Sequence, residues 1–385
     1  MTIQILLTGD NHLDPPAVLF GPKRFERRAD HLRCFEEVIE YARREKPDLL
    51  LLAGDVFDTI RPGNFIRAKV MEDLKGLHDL GVQVMAVSGD HDTPKSVEEG
   101  SSPLAVYGNS GYVHFFQDPD KCTQKKLSID GLDVVVGGLS RNPLLQNGED
   151  PLSKFHIVFQ GDVNILLTHY PAEGFVGYAK YDPIIRLSSI PENCQFLGVG
   201  HFHAYQTKEL QNTTIIYPGS TERASFQEEN EEKGFVWLEL GREGVLSREH
   251  IRTSARPFKT MDISYPPTGS PMEFLMNQLD AHSSPTAAVR LRLNGKVTAE
   301  RLAAYRRSEL ILRSQGKFFH LSIDESELEI ESPEQITALP RTTPLEELRH
   351  YFTNAASKAS GNEEKLILEE ALRLSQSKLE EAGAW

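Results

Sequence analysis

Residues 49–58 read Leu-Leu-Leu-Leu-Ala-Gly-Asp-Val-Phe-Asp, an unbroken apolar run followed by a glycine and two aspartates. Such a run is typical of a strand that is buried on both faces of a sheet. Four other apolar runs in the first part of the chain also end in residues of the metal-binding types. These runs are 3–8 before Asp10 and His12, 82–87 before Asp90 and His91, 164–167 before His169, and 195–199 before His201 and His203. Because polar groups at the carboxyl ends of such strands line one crevice of an α/β sheet, the pattern predicts a single site built from five strand ends.

Each of these motifs on its own has an ordinary explanation. A lone Asp-x-His, or an aspartate-rich turn after a strand, is most often turn or cap chemistry. The joint pattern is different, because carboxylates and imidazoles follow five runs of the same design. A divalent metal needs several oxygen or nitrogen ligands, and in a two-metal site one carboxylate bridges the pair. The set therefore predicts a two-metal hydrolytic site.

The order of the motifs resembles that of the calcineurin-like metallophosphoesterase superfamily, namely Asp-x-His, Gly-Asp-x-x-Asp, Gly-Asp-His-Asp, His and Gly-His-x-His. Two stretches, 54–59 with Pro62 and 217–223, more narrowly resemble the SbcD-type nucleases of double-strand-break repair. The resemblance implies an α/β fold with a two-layer β-sandwich metallophosphoesterase core flanked by helices. It also implies a small α/β capping domain and a helical C-terminal tail.

The resemblance implies a role for each residue of the site. The first metal would be held by Asp10, His12, Asp55 and His203, and the second by Asp55, Asp90, His169 and His201. His91 would lie beside the scissile phosphate without binding metal. Ser220 and Arg223 would bind substrate at the rim, and ordinary turn chemistry is the alternative for their loop. The implied cofactors are two divalent metal ions, expected to be Mn²⁺. We further hypothesise that Asp58 orients His91, since a carboxylate fixes the tautomer and direction of an imidazole; the alternative is that Asp58 caps the following turn.

Asp90 departs from the superfamily pattern, which usually has asparagine at this position. A carboxylate adds a negative charge to a site that already contains Asp10 and Asp55. We therefore expect a firmer grip on the metals and a stronger repulsion of an anionic phosphodiester. A catalytically weak scaffold remains one alternative for a chain with this substitution.

Three parts are expected along the chain: a nuclease domain over 1–256, a DNA-holding capping domain over 257–331, and a linker with a helical tail over 332–385. Periodic apolar residues predict helices over 28–45, 66–80, 272–281, 298–307, 343–358 and 362–381. The resemblance implies that the tail docks on the coiled coil of an SbcC-like ABC-type ATPase. Packing within the chain and dimerisation are the alternatives for the tail. A homodimer through the helices around 64–80 and 101–109 is likewise implied by family likeness alone.

The charge balance bears on the substrate. The chain has 385 residues and a net charge of −14, whereas DNA-binding proteins usually carry a basic footprint. Residues 321–385 hold 14 acidic and 6 basic side chains, for a net charge of −8, which leaves −6 for the rest. The balance argues against strong stand-alone DNA binding and favours a partner that supplies it.

The three cysteines, Cys34, Cys122 and Cys194, are widely separated and form no readable disulfide or zinc framework. No apolar run reaches membrane-spanning length, and no export signal is readable at the N-terminus. These features predict a cytoplasmic protein that does not engage a membrane.

The expected function is a two-metal-dependent DNA nuclease of double-strand-break repair, with double-strand exonuclease and single-strand endonuclease activity. The alternative is a metallophosphatase or cyclic-nucleotide phosphodiesterase that uses the same metal core on small phosphoesters.

Overall fold

The computed structural model describes residues 1–175, 182–331, 343–359 and 361–381. The linker expected at residues 332–342 lies outside the described residues, as do residues 382–385 of the expected tail. Within this description the chain divides into two compact units, one of residues 1–294 and 306–327, the other of residues 295–305 and 328–385.

The strands of the described chain are β1 (Ile3–Thr8), β2 (Leu49–Ala53), β3 (Gln83–Val87), β4 (His114–Phe115), β5 (Thr123–Ile129), β6 (Leu132–Leu139), β7 (Val163–Thr168), β8 (Phe196–Val199), β9 (Gln206–Leu210), β10 (Thr213–Tyr217), β11 (Gly234–Gly241), β12 (Gly244–Arg252), β13 (Phe258–Ser264), β14 (Ser284–Thr298) and β15 (Phe318–Glu331). The α-helices are α1 (Arg24–Glu45), α2 (Asn64–Asp79), α3 (Leu104–Ser110), α4 (Pro271–Ala281), α5 (Ala299–Ala303), α6 (Arg307–Arg313), α7 (Pro344–Lys358) and α8 (Asn362–Glu381).

Two six-stranded mixed sheets form the core of the first unit. Their strand orders are β12-β11-β1-β2-β3-β4 and β5-β6-β7-β8-β10-β9. Strands β1 to β4 run parallel in one sheet, and β6, β7, β8 and β10 run parallel in the other. The predicted two-layer sandwich is confirmed.

The continuous apolar runs follow from the position of these strands between two apolar layers. Successive side chains of a strand point to opposite faces of its sheet. In β2, Leu49 and Leu51 lie in the core between the two sheets, whereas Leu50 and Leu52 pack with α1 and α2 on the outer face. Since both faces of β2 are covered, each position of the strand must be apolar.

The third sheet, β13-β14-β15, forms the expected small α/β layer. Its first two strands are parallel and are connected through α4, which agrees with the predicted strand–helix–strand pattern. The single helix predicted over 298–307 is wrong. The backbone of Arg306 is extended, so α5 ends before it and α6 begins after it. Thr298 caps α5 as predicted, with its hydroxyl accepting the N–H of Arg301.

The two predicted tail helices are confirmed as α7 and α8. Thr343 and Glu346 form a capping box at the start of α7, in which each side chain accepts the backbone N–H of the other. No helix in the described ranges is long and apolar enough to span a membrane.

A network of charges around two buried carboxylates, the Asp30 network, consists of Asp30, Glu222, Arg27, Arg33 and Arg256, of which Arg33 is exposed. The carboxylate of Asp30 accepts from Nη2 of Arg256 at 2.7 Å, from Nη1 of Arg33 at 2.7 Å and from Nη1 of Arg27 at 3.2 Å. Glu222 accepts the backbone N–H of Arg256 and lies 3.3 Å from Arg27. The network joins α1 to the loop before β11 and to the chain that enters β13.

Candidate metal centre

Five parallel strands bring the predicted ligands to one place. Asp10 and His12 follow β1, Asp55 follows β2, Asp90 follows β3, His169 follows β7, and His201 and His203 follow β8. Each of these residues lies within four positions of a strand end. Because the strands belong to the two facing sheets, their carboxyl ends converge, and the sandwich gathers all seven side chains.

Asp55 connects two groups of these side chains. The potential ligand atoms of Asp10, His12 and His203 lie within 4.8 Å of one another, as do those of Asp90, His169 and His201. Asp55 lies in such a group with His12 and His91 and in another with Asp10 and His169. Its Oδ2 is 3.3 Å from Nε2 of His169 and 3.9 Å from Nε2 of His12. The arrangement suits two cations with Asp55 between them.

The donor atoms themselves indicate that cations belong here. Nε2 of His169 is buried and has no hydrogen-bond partner among the described residues. Nε2 of His12 faces Nε2 of His203 at 3.1 Å, a contact that is repulsive unless a proton or a cation lies between the two nitrogens. A buried polar atom without a partner is unfavourable. Oxygen and imidazole donors of this kind fit divalent ions such as Mn²⁺ and Zn²⁺.

Carboxylates and a carbonyl group orient three of the imidazoles by accepting the Nδ1 proton of each ring. Nδ1 of His12 donates to Asp58 Oδ1 at 3.0 Å, and Nδ1 of His203 donates to Glu228 Oε1 at 3.0 Å. Nδ1 of His169 donates to the carbonyl of Ala53 at 2.7 Å. In each of these three rings the Nδ1 proton is engaged, so Nε2 is the nitrogen that remains free to accept a cation.

The backbone at the centre is held in an uncommon conformation. Asp10, His12, Asp55 and His201 have φ angles of 50°, 45°, 48° and 98°. Aspartate and histidine adopt this left-handed region more readily than most residues with a side chain. Positions 54 and 200 require glycine, because a Cβ on Gly54 or Gly200 would collide with the His169 ring.

Protonation in the absence of cations follows from the crowding of charges. Burial alone would lower the pKa of His12, but the hydrogen bond to Asp58 and the charges of Asp55 and Asp10 raise it to about 9. Burial would raise the pKa of Asp55, but the neighbouring imidazoles of His169 and His12 lower it. Divalent cations that enter the centre therefore have to displace protons from imidazoles.

Comparison with known proteins agrees with this geometry. Residues 3–205 match the family described as calcineurin-like phosphoesterase. The chain belongs to this family.

Named relatives of this phosphoesterase come from archaea. The DNA double-strand break repair protein Mre11 of Methanopyrus kandleri is 24% identical over 247 residues, which cover 60% of this chain and 54% of that protein. Mre11 of Methanosarcina acetivorans is 25% identical over 382 residues, which cover 96% of this chain and 57% of that protein. The phosphoesterase chain thus spans little more than half the length of these relatives. Among solved structures, TT1561 of Thermus thermophilus aligns at 12% identity with a TM-score of 0.36, covering 65% of this chain and 99% of that one.

His91 lies at the open side of the phosphoesterase centre, with its side chain half-exposed. Its backbone N–H donates to Asp55 Oδ1 at 2.8 Å, which ties it to the centre. Its Nδ1 lies 3.3 Å from the carbonyl of Asp58 and 3.6 Å from the carboxylate of the same residue. Asp58 therefore contacts both His91 and His12, and it is closer to His12. The orienting role of Asp58 toward His91 stays a prediction.

Ser220 and Arg223 are engaged within their own loop. Ser220 is fully buried, and its hydroxyl donates to the carbonyl of Glu222 at 2.9 Å. The guanidinium of Arg223 donates to three backbone carbonyls, those of Glu228, Glu231 and Arg256. These contacts stabilise the loop after β10, and the substrate-binding roles of both residues stay predictions.

Four residues that contact the centre have no role in the sequence analysis: Asp92, Arg141, Asp182 and Glu228. The carboxylate of Asp92 is fully buried and accepts the backbone N–H groups of Val56 and Gly89 at 2.9 and 2.7 Å. It thereby joins the loop that carries Asp55 to the loop that carries Asp90. Burial and the charge of Asp55 raise the pKa of Asp92 to about 7.

Proposed function

We propose that this chain is a two-metal-dependent DNA nuclease that cleaves phosphodiester bonds. The observation that carries the proposal is the pair of ligand groups joined by Asp55, with the half-exposed His91 beside them. The family supports a metal-dependent phosphoesterase, and the relatives named for DNA double-strand break repair support DNA as the substrate. The specific activities we propose are double-strand exonuclease and single-strand endonuclease cleavage.

The side chains divide between two cations, for which we propose Mn²⁺. The first would be held by Asp10, His12, Asp55 and His203, and the second by Asp55, Asp90, His169 and His201. Bound divalent cations lower the pKa of water and offset charge on phosphoryl oxygens. Asp55 suits the shared position because a carboxylate offers two oxygens, and one of them already lies between His12 and His169.

His91 would act on the substrate rather than on the metals. Its ring stands edge-on to that of His12, with 4.7 Å between centroids, and its side chain is the most exposed of the eight at the centre. In this position the imidazole can donate to a phosphoryl oxygen or protonate the leaving oxygen. Proton transfer of this kind contributes about 10²- to 10⁴-fold to a rate.

The remaining parts of the chain have proposed roles in a larger assembly. We assign 1–256 to the nuclease domain, 257–331 to a capping domain that helps to hold DNA, and 332–385 to a tail that docks on an SbcC-like ABC-type ATPase. Both α7 and α8 carry exposed large apolar side chains, namely Tyr351, Leu366, Ile367 and Leu374. A homodimer and a cytoplasmic location complete the proposal. Retention of the ATPase by a chain without residues 343–385, in co-purification, would remove the docking role.

A small phosphoester is the second candidate substrate, favoured by one observation. The net charge of −14 opposes unaided binding of a polyanion and matters less for a small substrate. A metallophosphatase or cyclic-nucleotide phosphodiesterase would use the same seven ligands.

The deciding experiment measures release of nucleotides from an end-labelled linear duplex in Mn²⁺, Mg²⁺ or EDTA. A chromogenic phosphodiester and a phosphomonoester are assayed in parallel. The variant His91→Ala should lose about 10²- to 10⁴-fold in rate while its metal content is unchanged. His156→Ala is the matched control, because His156 is exposed in a loop, belongs to no proposed site or interface, and should be neutral. Turnover of small esters without DNA cleavage would contradict the nuclease proposal and support a metallophosphatase or cyclic-nucleotide phosphodiesterase.

A further inference from the structure

Arg141 is a buried arginine at the edge of the metal centre, two positions after β6. Its backbone N–H donates to the carbonyl of Ser88 at 3.0 Å, which fixes it beside the loop that carries Asp90. Its guanidinium lies over the ring of Tyr170, 4.7 Å from the centroid, and the residue is 7% exposed. A buried charge is unfavourable by several kcal/mol unless a carboxylate pairs with it. The partners of Arg141 therefore define its role.

Two carboxylates share this guanidinium. Nε of Arg141 lies 2.7 Å from Asp90 Oδ1, and Nη2 lies 3.2 Å from Asp182 Oδ1. Asp182 also lies 3.5 Å from Nε2 of His201, on the other side of that ring from Asp90. Nη1 is buried without a hydrogen-bond partner in the part of the chain that is described. Asp90 is thus the nearer partner of a guanidinium that the described residues do not fully satisfy.

The contact divides the two oxygens of Asp90 between different partners. Oδ1 faces Arg141, whereas Oδ2 lies 2.9 Å from Nδ1 of His201 and 3.5 Å from Nε2 of His169. These two nitrogens belong to the group proposed to hold the second cation. One oxygen of the carboxylate is therefore directed at that cation position, and the other is occupied by the guanidinium.

We propose that Arg141 is a positioning residue that makes Asp90 a one-oxygen ligand and offsets its charge. The inference rests on the metal-binding role proposed above for Asp90. Because Asp90 is the nearer partner of the shared guanidinium, its charge is offset more than that of Asp182, and it approaches a neutral oxygen ligand in net charge. This centre can then hold an aspartate at position 90 without adding to the repulsion of an anionic phosphodiester by Asp10 and Asp55.

Binding of Mn²⁺, measured by titration calorimetry, tests the inference in a double-mutant cycle of the wild type, the two single variants and the double variant. Asp90→Asn leaves the guanidinium unbalanced beside the second cation, so the affinity of the second site should fall by about tenfold or more. Arg141→Met leaves the carboxylate unbalanced, so the affinity should rise by about tenfold or more, with a higher KM for a phosphodiester. The double variant has no net charge at the pair and should return to within about threefold of the wild type.

Two further variants separate charge from simple structural support. Arg141→Lys keeps the charge and should keep the wild-type affinity. Arg43→Met removes an arginine from the buried Asp73 between α1 and α2, and should leave Mn²⁺ binding unchanged. A structural role for Arg141 predicts the opposite sign, namely weaker binding in Arg141→Met and no recovery in the double variant, and this result would overturn the inference.

The outcome also separates this inference from the proposed function. A wild-type protein that binds no second Mn²⁺ overturns both, because Asp90 then has no cation to hold. Two bound ions with affinities insensitive to residue 141 overturn the role of Arg141 alone. If Arg141→Met does not fold, the Mn²⁺ affinities of Arg141→Lys and Asp90→Asn still test the charge offset. Unchanged affinity in Asp90→Asn, or a tenfold change in Arg141→Lys, contradicts the charge offset.

Discussion

The metal centre and the Asp30 network are both largely buried clusters of charge, but their carboxylates have different partners. In the Asp30 network three arginines surround two carboxylates, and no buried nitrogen or oxygen of Arg27, Asp30 or Glu222 lacks a hydrogen-bond partner in the described chain. In the metal centre, Asp90 is the one predicted carboxylate ligand that contacts an arginine within the described residues, and Asp55 lies beside imidazoles instead.

The difference shows how a chain separates stability from binding. Arginine stays protonated, so the ion pairs of the Asp30 network contribute to the folded state by themselves. At the metal centre, Asp55 is paired with the imidazoles of His12 and His169, and these rings have to release protons before cations can bind. Substitutions in the Asp30 network should therefore act on stability, whereas substitutions at the centre should act mainly on metal affinity.

Asp55→Asn should give the largest effect, and it should act mainly on metal binding. A unit charge about 4 Å from a cation is worth about 4 kcal/mol at an effective dielectric constant of 20, or about 10³-fold in affinity. Metal-free stability should change much less, because the lost attraction to His12 and His169 is offset in part by the lost repulsion of Asp92. Calorimetric Mn²⁺ titration measures the affinity, and urea unfolding in EDTA measures the metal-free stability. A loss of metal-free stability as large as the loss of binding free energy would remove the contrast between the clusters.

Asp30→Asn should give the next largest effect, on stability alone. Removing one partner of a buried ion pair lowers the free energy of unfolding by about 3–5 kcal/mol, since the remaining charges stay buried. Urea unfolding in EDTA measures this loss, and Mn²⁺ affinity of the folded variant should be unchanged. Asp79→Asn, which removes an exposed partner of Lys75, is the control and should leave stability unchanged. A metal affinity that fell together with stability would mean that the Asp30 network supports the centre.

Asp58→Ala tests how much a carboxylate behind a histidine of the metal centre contributes to metal affinity. Asp58 accepts from His12 at 3.0 Å, and loss of such a partner lowers metal affinity by about 10- to 100-fold. Mn²⁺ titration of this variant beside Glu228→Ala, which removes the equivalent partner of His203, gives a matched pair. Unchanged metal affinity with slower turnover would instead support the action of Asp58 on His91.

The smallest expected effect is on the pH dependence of the free energy of unfolding, through the carboxyl group of Asp30. Burial would raise the pKa of Asp30, but hydrogen bonds from Arg256 and Arg33 lower it. A carboxyl whose pKa is lower in the folded state adds stability above its unfolded pKa, about 3.9, and this stability is lost as the pH falls. Between about pH 5 and pH 3 the wild type should lose up to about 1.4 kcal/mol per pH unit more than Asp30→Asn. Parallel urea titrations without metal measure the difference, and equal slopes would contradict it.

The convergence of these side chains at one centre could be predicted from the sequence because each follows a strand end by a few residues. A strand covered on both faces must be apolar throughout, so the sequence indicates both β2 and the polar residue Asp55 that follows it. Arg141 follows β6 in the same way, and a search for polar residues of every type after apolar runs would have included it.

Other features depend on the path of the chain in space. Glu228 contacts His203 from 25 residues away along the chain, after β9, β10 and the loop that follows them. Arg223 looks like a phosphate ligand by its charge, but the carbonyls that it meets are set by the folded loop. The break between α5 and α6 is equally hidden, because the extended backbone of Arg306 interrupts an otherwise helical spacing.

The left-handed backbone at Asp10, His12, Asp55 and His201 also narrows the sequences that this protein can explore over evolutionary time. Glycine, asparagine, aspartate and histidine tolerate positive φ best, and β-branched residues tolerate it worst. A lineage released from its metals would therefore drift first toward glycine or asparagine at these four positions. Such a descendant would keep the sandwich, and its sequence alone would show that the chemistry had been lost.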